Sequence, residues 1–230
     1  MLKRLFALTL LAMMFILSGC ATRADMAFSK HAKHQTIGDE PIYLMTVSIK
    51  NDYHTSFKPE LLVINVERDV AVDKVDRIIF WMDDQAVISE SDSDQVPNEY
   101  CLRMELAQGK YVIRGLTSQK MIFPINGFFF APLHADLEAK GPGVYYLGHV
   151  NAFVRERTGE EFRAGPILPL IDQAVAGASG GTFDIEISDK WASDEALFRS
   201  KFPQLSKVEI KKAILPPLDR DKAQKWWADH

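Results

Sequence analysis

The sequence predicts a mainly β protein: an antiparallel β-sandwich of the immunoglobulin or transthyretin type, with short helices near its C-terminus. The first observation is that about eight short segments alternate apolar and polar residues, as strands with one buried face require. The second is that Gly, Pro, Asn and Asp separate these segments, which indicates turns. The third is chain length, since the roughly 190 residues that follow the polar N-terminal part can bury one core.

Each predicted strand follows from this alternation. Tyr43, Met45, Val47 and Ile49 share one face of the first strand, and the residues between them form the other face. Gly109 marks the turn of a predicted hairpin. In chain order, the predicted strands are residues 43–49, 62–66, 78–82, 102–106, 110–116, 144–155, 183–187 and 208–210.

Two short helices are predicted near the C-terminus. Ser193 is a helix-capping residue type, the acidic residues after it suit a helix N-terminus, and Pro203 ends the helix. Asp219 follows two prolines and can cap a final helix. We expect that helix to dock through three residues at i, i+3 and i+4 spacing: Ala223, Trp226 and Trp227.

The N-terminus has the order of an export signal. Residues 1–4 include a basic pair, residues 5–17 are apolar, and Leu17-Ser18-Gly19-Cys20 follows. As a helix, the apolar segment is about 20 Å long, too short to span the ~30 Å hydrocarbon core of a bilayer. This arrangement resembles the lipobox of bacterial lipoproteins, in which signal peptidase II cuts between Gly19 and Cys20. The resemblance implies a diacylglyceryl group on the Cys20 thiol and further fatty-acyl chains such as palmitate.

This interpretation divides the chain into three parts. Residues 1–19 are the cleaved lipoprotein signal peptide, residues 20–40 are the lipidated cysteine with a flexible tether, and residues 41–230 are a single β-sandwich domain with C-terminal helices. The tether is predicted because its sequence is polar and lacks sustained periodicity. By resemblance to Gram-negative sorting, Ala21 in place of aspartate implies the outer membrane, facing the periplasm. The alternative is an ordinary cleaved signal with an incidental cysteine.

Charge and cysteine content exclude several classes of function. Loss of Lys3 and Arg4 with the signal lowers the formal net charge from −4 to −6, and an acidic domain is poorly suited to nucleic acid. Once Cys20 is acylated only Cys101 remains, so no internal disulfide is possible. Alternation places Cys101 on the polar face of its strand. We expect stability to come from an apolar core, without a cofactor or a bound metal.

Two segments carry a second resemblance, Gly109-Lys110-Tyr111-Val112-Ile113-Arg114 and Gly141-Pro142-Gly143-Val144-Tyr145-Tyr146-Leu147-Gly148. They are similar to a hairpin and a strand of small, uncharacterised β-sandwich envelope lipoproteins, and the helix predicted at residues 194–203 is also similar to a segment of such proteins. The resemblance covers roughly residues 95–205. It implies the fold alone, because that group has no established activity or catalytic residues.

One segment matches a catalytic motif to the letter. Gly177-Ala178-Ser179-Gly180-Gly181 has the Gly-x-Ser-x-Gly spacing of the nucleophile elbow in α/β-hydrolases. That elbow follows a strand and opens a helix, whereas here a strand predicted at Phe183 follows the motif. His230 is the one histidine downstream. We therefore interpret the motif as a loop before a strand, and expect no catalytic residue in this chain.

Other polar groups are interpreted as surface features. The paired candidates are His31 with His34, His134 with Asp136, and His149 with Asn151. Two histidines in a polar linker do not make a metal site, and the other two pairs lie near predicted strand edges. Residues 90–94 offer carboxylates at alternate positions, which suits calcium, but the glycine and distal glutamate of an EF-hand loop are out of register.

The apolar segment 121–132 is the main candidate for an interaction surface. Pro124 and Pro132 disfavour a central strand, and Asn126-Gly127 is a strong turn signal. A turn flanked by large apolar residues either packs under the sheets or stays exposed for a partner or for lipid. The candidate interaction residues are Phe123, Phe128, Phe129 and Phe130.

These observations predict a lipid-anchored, non-enzymatic interaction or structural module of the bacterial envelope. It binds the membrane through the acyl chains on Cys20, presents its aromatic segment to another envelope protein, and does not bind nucleic acid. The alternative is a periplasmic module that binds a small ligand or a glycan on the outer sheet face. A third hypothesis, a hydrolase centred on Ser179, predicts labelling of that serine by a reactive phosphonate.

Overall fold

The alternating segments form strands, and the protein is mainly β. The computed structural model describes residues 21–32, 36–91, 93–166 and 173–229; the predicted signal peptide, Gly19 and Cys20 lie outside them. The strands are β1 Thr22–Ala24, β2 Ile42–Asn51, β3 Glu60–Arg68, β4 Arg77–Trp81, β5 Val87–Ser89, β6 Asn98–Glu105, β7 Gly109–Ile122, β8 Ile125–Ala139, β9 Val144–Glu156, β10 Gly181–Ser188 and β11 Ile210–Lys212. The helices are α1 Trp191–Lys201 and α2 Arg220–Asp229.

The strands form two sheets. Sheet A has the order β1-β4-β3-β7-β8, and sheet B has the order β10-β9-β2-β6-β5, with β11 also paired to β9. In the described part of the chain, three pairs are parallel: β1 with β4, β2 with β9, and β11 with β9. The prediction of purely antiparallel sheets was therefore wrong. Alternation specifies which face of a strand is buried, but it carries no information about the direction of a neighbour that is distant in sequence.

One apolar core takes side chains from both sheets. Its members from sheet B include Met45, Val47 and Val150, and those from sheet A include Ile64 and Phe129. Met45 and Val47 lie on alternate positions of β2, as the sequence predicted. A shared core of this kind is the main source of stability in a chain whose described residues contain no disulfide.

A second apolar cluster lies on the other face of sheet B. Phe198 and Phe202, in and just after α1, pack there with Leu44, Tyr146 and Cys101. The prediction that Cys101 faces a polar surface was wrong, because the helix covers this face. Burial raises the pKa of the Cys101 thiol, which keeps it protonated and unreactive.

The segment predicted as a flexible tether packs on the domain where the structure describes it. Strand β1 adds to the edge of β4, and Met26, Ala27 and Phe28 are buried. The buried Arg103 side chain donates from Nε to the Ala27 carbonyl (2.8 Å) and pairs with Asp83. Polar composition failed as a predictor here because backbone hydrogen bonds to a sheet edge do not require apolar side chains.

The two C-terminal helices are present, and their ends differ in part from the prediction. Helix α1 begins at Trp191, so Ser193 lies within its first turn and donates to the Lys190 carbonyl (2.9 Å). Asp219 caps α2 as predicted, since its carboxylate accepts from the Lys222 amide (2.9 Å). Within the described part of the chain, neither helix has the length and apolar content needed to cross a membrane.

Candidate functional site

The longest hairpin among the described residues ends in an exposed apolar tip. Strands β7 and β8 pair along their whole length, and Ile122 lies opposite Ile125 across the two-residue turn Phe123-Pro124. Met121 and Ile122 are exposed, and Phe123 is 93% exposed. We call these three consecutive residues the apolar tip. Exposed contiguous apolar residues usually mark an interaction site, because water contact with them is unfavourable.

The turn lies three residues earlier than the sequence predicted. Asn126 and Gly127 are inside β8, paired with Met121 and Lys120, although Asn-Gly is a strong turn signal. Pro132 also lies within β8, opposite Gly115 and beside a register shift. An edge strand accepts proline there, since its missing N–H can face away from the paired neighbour.

The four predicted interaction residues do not share one surface. Phe123 is at the apolar tip, whereas Phe129 is 1% exposed and belongs to the shared core. Phe128 and Phe130 are half-buried, and the Phe130 ring lies 5.6 Å from the ring of Trp226 in α2. Alternation along β8 separates neighbours onto opposite faces, so the segment contributes both to the core and to the surface.

The strand below the apolar tip is held firmly by a buried side chain. Gln173 Oε1 accepts from the Phe128 amide (2.8 Å), and Gln173 Nε2 donates to the Asn126 carbonyl (3.0 Å). The Phe128 and Phe130 edge is further covered by Ala164, whose carbonyl accepts from the Phe130 amide (2.7 Å). The outer edge of β8 is thus hydrogen-bonded between Asn126 and Phe130, just below the tip.

The apolar tip lies at the opposite end of sheet A from the start of β1. The pairing of β1, β4, β3 and β7 places Thr22 level with Ile78, Val66 and Ile113. Ile122 lies nine residues further along β7, a distance of about 30 Å at 3.3 Å per residue. The tip is therefore remote from Thr22, where β1 begins.

The Gly-x-Ser-x-Gly segment forms a turn before a strand. Residues 174–180 are in turns, Gly177 has φ of +80°, and β10 begins at Gly181. The Ser179 carbonyl accepts from the Arg163 guanidinium. A nucleophile elbow needs the strand before the serine and a helix after it, so the strand that follows Ser179 argues against that role.

The histidine pairs are placed differently from the prediction. His134 packs against Trp226 (4.9 Å), and Lys222 binds both the His134 carbonyl (2.8 Å) and Asp136 (3.1 Å), so this pair anchors α2. His149 is not paired with Asn151; it contacts residues of β2 and α1 instead. His34 lies outside the described residues.

His149 belongs to a buried polar chain that sequence reasoning missed. Its Nε2 lies 2.9 Å from Ser48 Oγ, and its Nδ1 lies 3.5 Å from Asp194 Oδ2. The order of groups matches a Ser-His-Asp acid–base chain. All three residues are buried, and the Glu99 carboxylate accepts from Ser48 at 3.3 Å. Negative charge at that distance opposes an oxyanion, so the arrangement does not suit a nucleophile.

The same chain fastens α1 onto sheet B. Besides His149, the Asp194 carboxylate accepts from Thr46 and from the Tyr146 hydroxyl (2.6 Å). Burial alone raises the pKa of Asp194, but the hydrogen bonds from His149, Thr46 and Tyr146 outweigh it and lower the pKa to about 2. The charged carboxylate is therefore the form that the fold stabilises. No sequence motif joins these residues, because their partners are distant in the chain.

Acid is expected to weaken this attachment. The pKa of Asp194 is lowered on folding, so its contribution is present above the unfolded value of 3.8 and is lost as pH falls towards about 2. The loss is about 2 kcal/mol, which should be measured as the free energy of unfolding in urea from pH 5 down to pH 2. Asp194→Asn should remove this part of the acid dependence, and the exposed-site variant Asp136→Asn should retain it. Equal dependence in both variants would contradict the assignment.

The acidic loop considered for calcium encloses a lysine. The Lys58 ammonium donates to the carbonyl groups of Ser91, Ser93 (3.0 Å) and Val96 (3.2 Å). The Lys58 ammonium therefore occupies the position in which the same carbonyl oxygens would coordinate a bound cation. Within the described residues, which omit Asp92, no cluster of three or more His, Cys, Asp or Glu side chains is placed to hold a metal.

A shallow groove lies along β9 and β10. Its volume is about 510 Å³, and its lining includes Phe153, Asn151, Glu186, Leu218 and Arg220. The Lys50 ammonium lies 4.9 Å from the centre of the Phe153 ring. An aromatic ring among polar groups is the feature expected of the alternative, a module that binds a small ligand or a glycan.

No protein-family profile, no curated protein sequence and no solved structure matches this chain. Inference about its function therefore depends on its own residues and their arrangement. Two features of the chain bear on its function: the lipobox-like sequence of residues 17–20, and the apolar tip of the hairpin.

Proposed function

We propose that this chain is a bacterial envelope lipoprotein, acylated at Cys20 and anchored in the outer membrane facing the periplasm. The order of basic, apolar and small residues before Cys20 supports acylation, and Ala21 after it supports the outer membrane. Two or more acyl chains hold a protein on a bilayer far more firmly than one does. In this proposal the domain acts as a non-enzymatic interaction module.

For the fold, we propose that the two sheets face each other as a β-sandwich. The shared core, with Met45 from sheet B and Phe129 from sheet A, supports this architecture. The immunoglobulin topology is antiparallel, whereas β2 and β9 run parallel here. We therefore retain the sandwich arrangement and not the immunoglobulin connectivity.

The apolar tip is the observation that carries the interaction role. A phenylalanine that is 93% exposed, with Met121 and Ile122 beside it, is unfavourable in water unless a partner covers it. The tip is about 30 Å from the level of Thr22, so a chain anchored through Cys20 holds it away from its own bilayer. The partner is therefore a protein with an apolar pocket. The Lys120–Glu60 ion pair (2.6 Å) is a polar contact at the rim.

The test is crosslinked capture of the full, membrane-anchored protein from intact cells. We expect a stoichiometric envelope partner with the unaltered chain and its loss in Phe123→Asp, since a charge in an apolar pocket is strongly unfavourable. Val96→Asp is the matched control, because Val96 is an exposed apolar residue outside the hairpin. It should retain the partner.

Loss of the partner in both variants, or in neither, would contradict a role for the tip. A second copy of this chain as the captured species would make the tip a self-association surface. No partner in any sample would favour the ligand-binding alternative, with the groove around Phe153 as its site. Acylation is tested separately: Cys20→Ser should abolish fatty-acid labelling, and normal labelling of that variant would contradict the lipoprotein assignment.

A further inference from the structure

A second exposed apolar surface lies at the end of sheet A where the chain enters the domain. Val70, Val72 and Val75 lie in the connection between β3 and β4 and are 67–76% exposed. We call the connection, residues 69–76, the valine loop. It is at the far end of the sheet from the apolar tip, because β3 runs from Glu60 near the tip to Arg68 near the loop.

The valine loop has a fixed shape. The Asp76 carboxylate accepts from the amides of Val72 (3.0 Å) and Asp73 (2.9 Å), and the Arg68 guanidinium lies 3.6 Å from it. The Asp69 amide donates to the Lys110 carbonyl of β7 (3.0 Å). Because the turn is already ordered, a partner that covers these valines does not have to order a flexible loop, and the conformational entropy lost on binding is smaller.

The loop is also joined directly to the first strand. Thr22 Oγ1 donates to the Lys74 carbonyl (3.2 Å), and β1 runs parallel to β4, which leaves the loop at Arg77. Cys20 is two residues before Thr22, so covalent geometry limits the distance between their Cα atoms to about 7 Å. An acyl group on Cys20 would therefore be attached within a short distance of Thr22, which contacts the valine loop.

We propose that the valine loop rests on the lipid bilayer that holds Cys20 and forms a second membrane contact. This inference depends on the acylation proposed above. Three valines add apolar area to the acyl anchor, and the packed N-terminal segment removes the slack that a flexible tether would give. The contact sets the orientation of the domain, with sheet A standing on the membrane and the apolar tip pointing away. The loop carries three aspartates against one lysine, which favours zwitterionic over anionic headgroups.

The test places an environment-sensitive fluorophore on the loop of the full, acylated protein. With Cys20 acylated and Cys101 buried, Val72→Cys offers one reactive thiol for an NBD label. Val96→Cys is the matched control: its carbonyl binds Lys58, two residues before Glu60, at the tip end of β3. In phosphatidylcholine vesicles that contain lipids with doxyl-labelled acyl chains, we expect about a twofold loss of emission relative to vesicles without doxyl groups, and a blue shift relative to buffer, for the label at residue 72. The label at residue 96 should show neither.

Each other outcome has a separate meaning. Protein that floats with the vesicles but shows no quenching at residue 72 would overturn the valine-loop contact and leave the lipoprotein assignment intact. Equal quenching at residues 72 and 96 would overturn the orientation, because both ends of the sheet would then meet lipid. Protein that carries no acyl chain and does not float would overturn the lipoprotein proposal together with this one.

Discussion

Replacement of Arg103 with methionine is expected to lower the free energy of unfolding by about 3 kcal/mol, at the lower end of the range for broken buried ion pairs. The guanidinium is fully buried, pairs with Asp83, donates to the Ala27 carbonyl and lies 4.3 Å from the Phe202 ring centre. Methionine fills similar space but leaves the Ala27 carbonyl without its donor. The measurement is urea unfolding of the mature chain.

The matched control is Arg114→Met. Arg114 forms an ion pair of similar length with Glu67 (2.7 Å), but both side chains are about a quarter exposed, so the expected loss is below about 1 kcal/mol. Arg103→Met should also speed proteolysis after Lys30, because the buried 26–28 segment loses its clamp. Equal stability of the two variants would show that Arg103 does not hold the N-terminal segment.

Phe129→Ala is expected to lower the free energy of unfolding by about 3–5 kcal/mol, whereas Phe123→Ala should change it by less than about 0.5 kcal/mol. The two residues are six positions apart in one hairpin, yet Phe129 is 1% exposed and Phe123 is 93% exposed. Truncation of Phe129 leaves a cavity in the core shared by both sheets, while truncation of Phe123 removes atoms that already contact water.

Thermal or urea unfolding of the two alanine variants provides the comparison. A large loss of stability in Phe123→Ala would mean that the apolar tip is covered within the protein's own assembly. A small loss in Phe129→Ala would contradict the burial of that side chain. The pair also guides the partner experiment, because a charge at Phe129 would unfold the domain and mimic loss of a partner.

Alternation predicted the strands well where one face is buried and the other is polar. Residues 183–187 correspond to β10 Gly181–Ser188, in which Phe183 is buried and Asp184 and Glu186 are exposed. It failed for β8, where Asn126-Gly127 and Pro132 are local signals against a strand. Pairing with β7 along the whole hairpin outweighed these preferences, since propensity is weak against tertiary contacts.

The sequence predicted the segment that contains the candidate site, but not which of its side chains are exposed. The large apolar side chains of segment 121–132 indicated either core or interface, and the structure assigns Phe129 to the first and Phe123 to the surface. The valine loop and the Ser48–His149–Asp194 chain gave no local signal. Their members are ordinary residues in sequence, and their surroundings come from strands and a helix that are distant in the chain.

The sequence by itself determined that this chain is mainly β, that two short helices lie near its C-terminus, and that its N-terminus resembles a lipoprotein signal. Each follows from residue types at fixed spacing, because strands, helices and signal sequences are specified by residues that are close together in the chain. Only the tertiary structure decided that β2 and β9 run parallel, that Cys101 is buried under α1, and that residues 22–28 pack on the domain. These depend on which surfaces meet across the fold, and the free energy of burying a surface is set by its partner rather than by its own sequence.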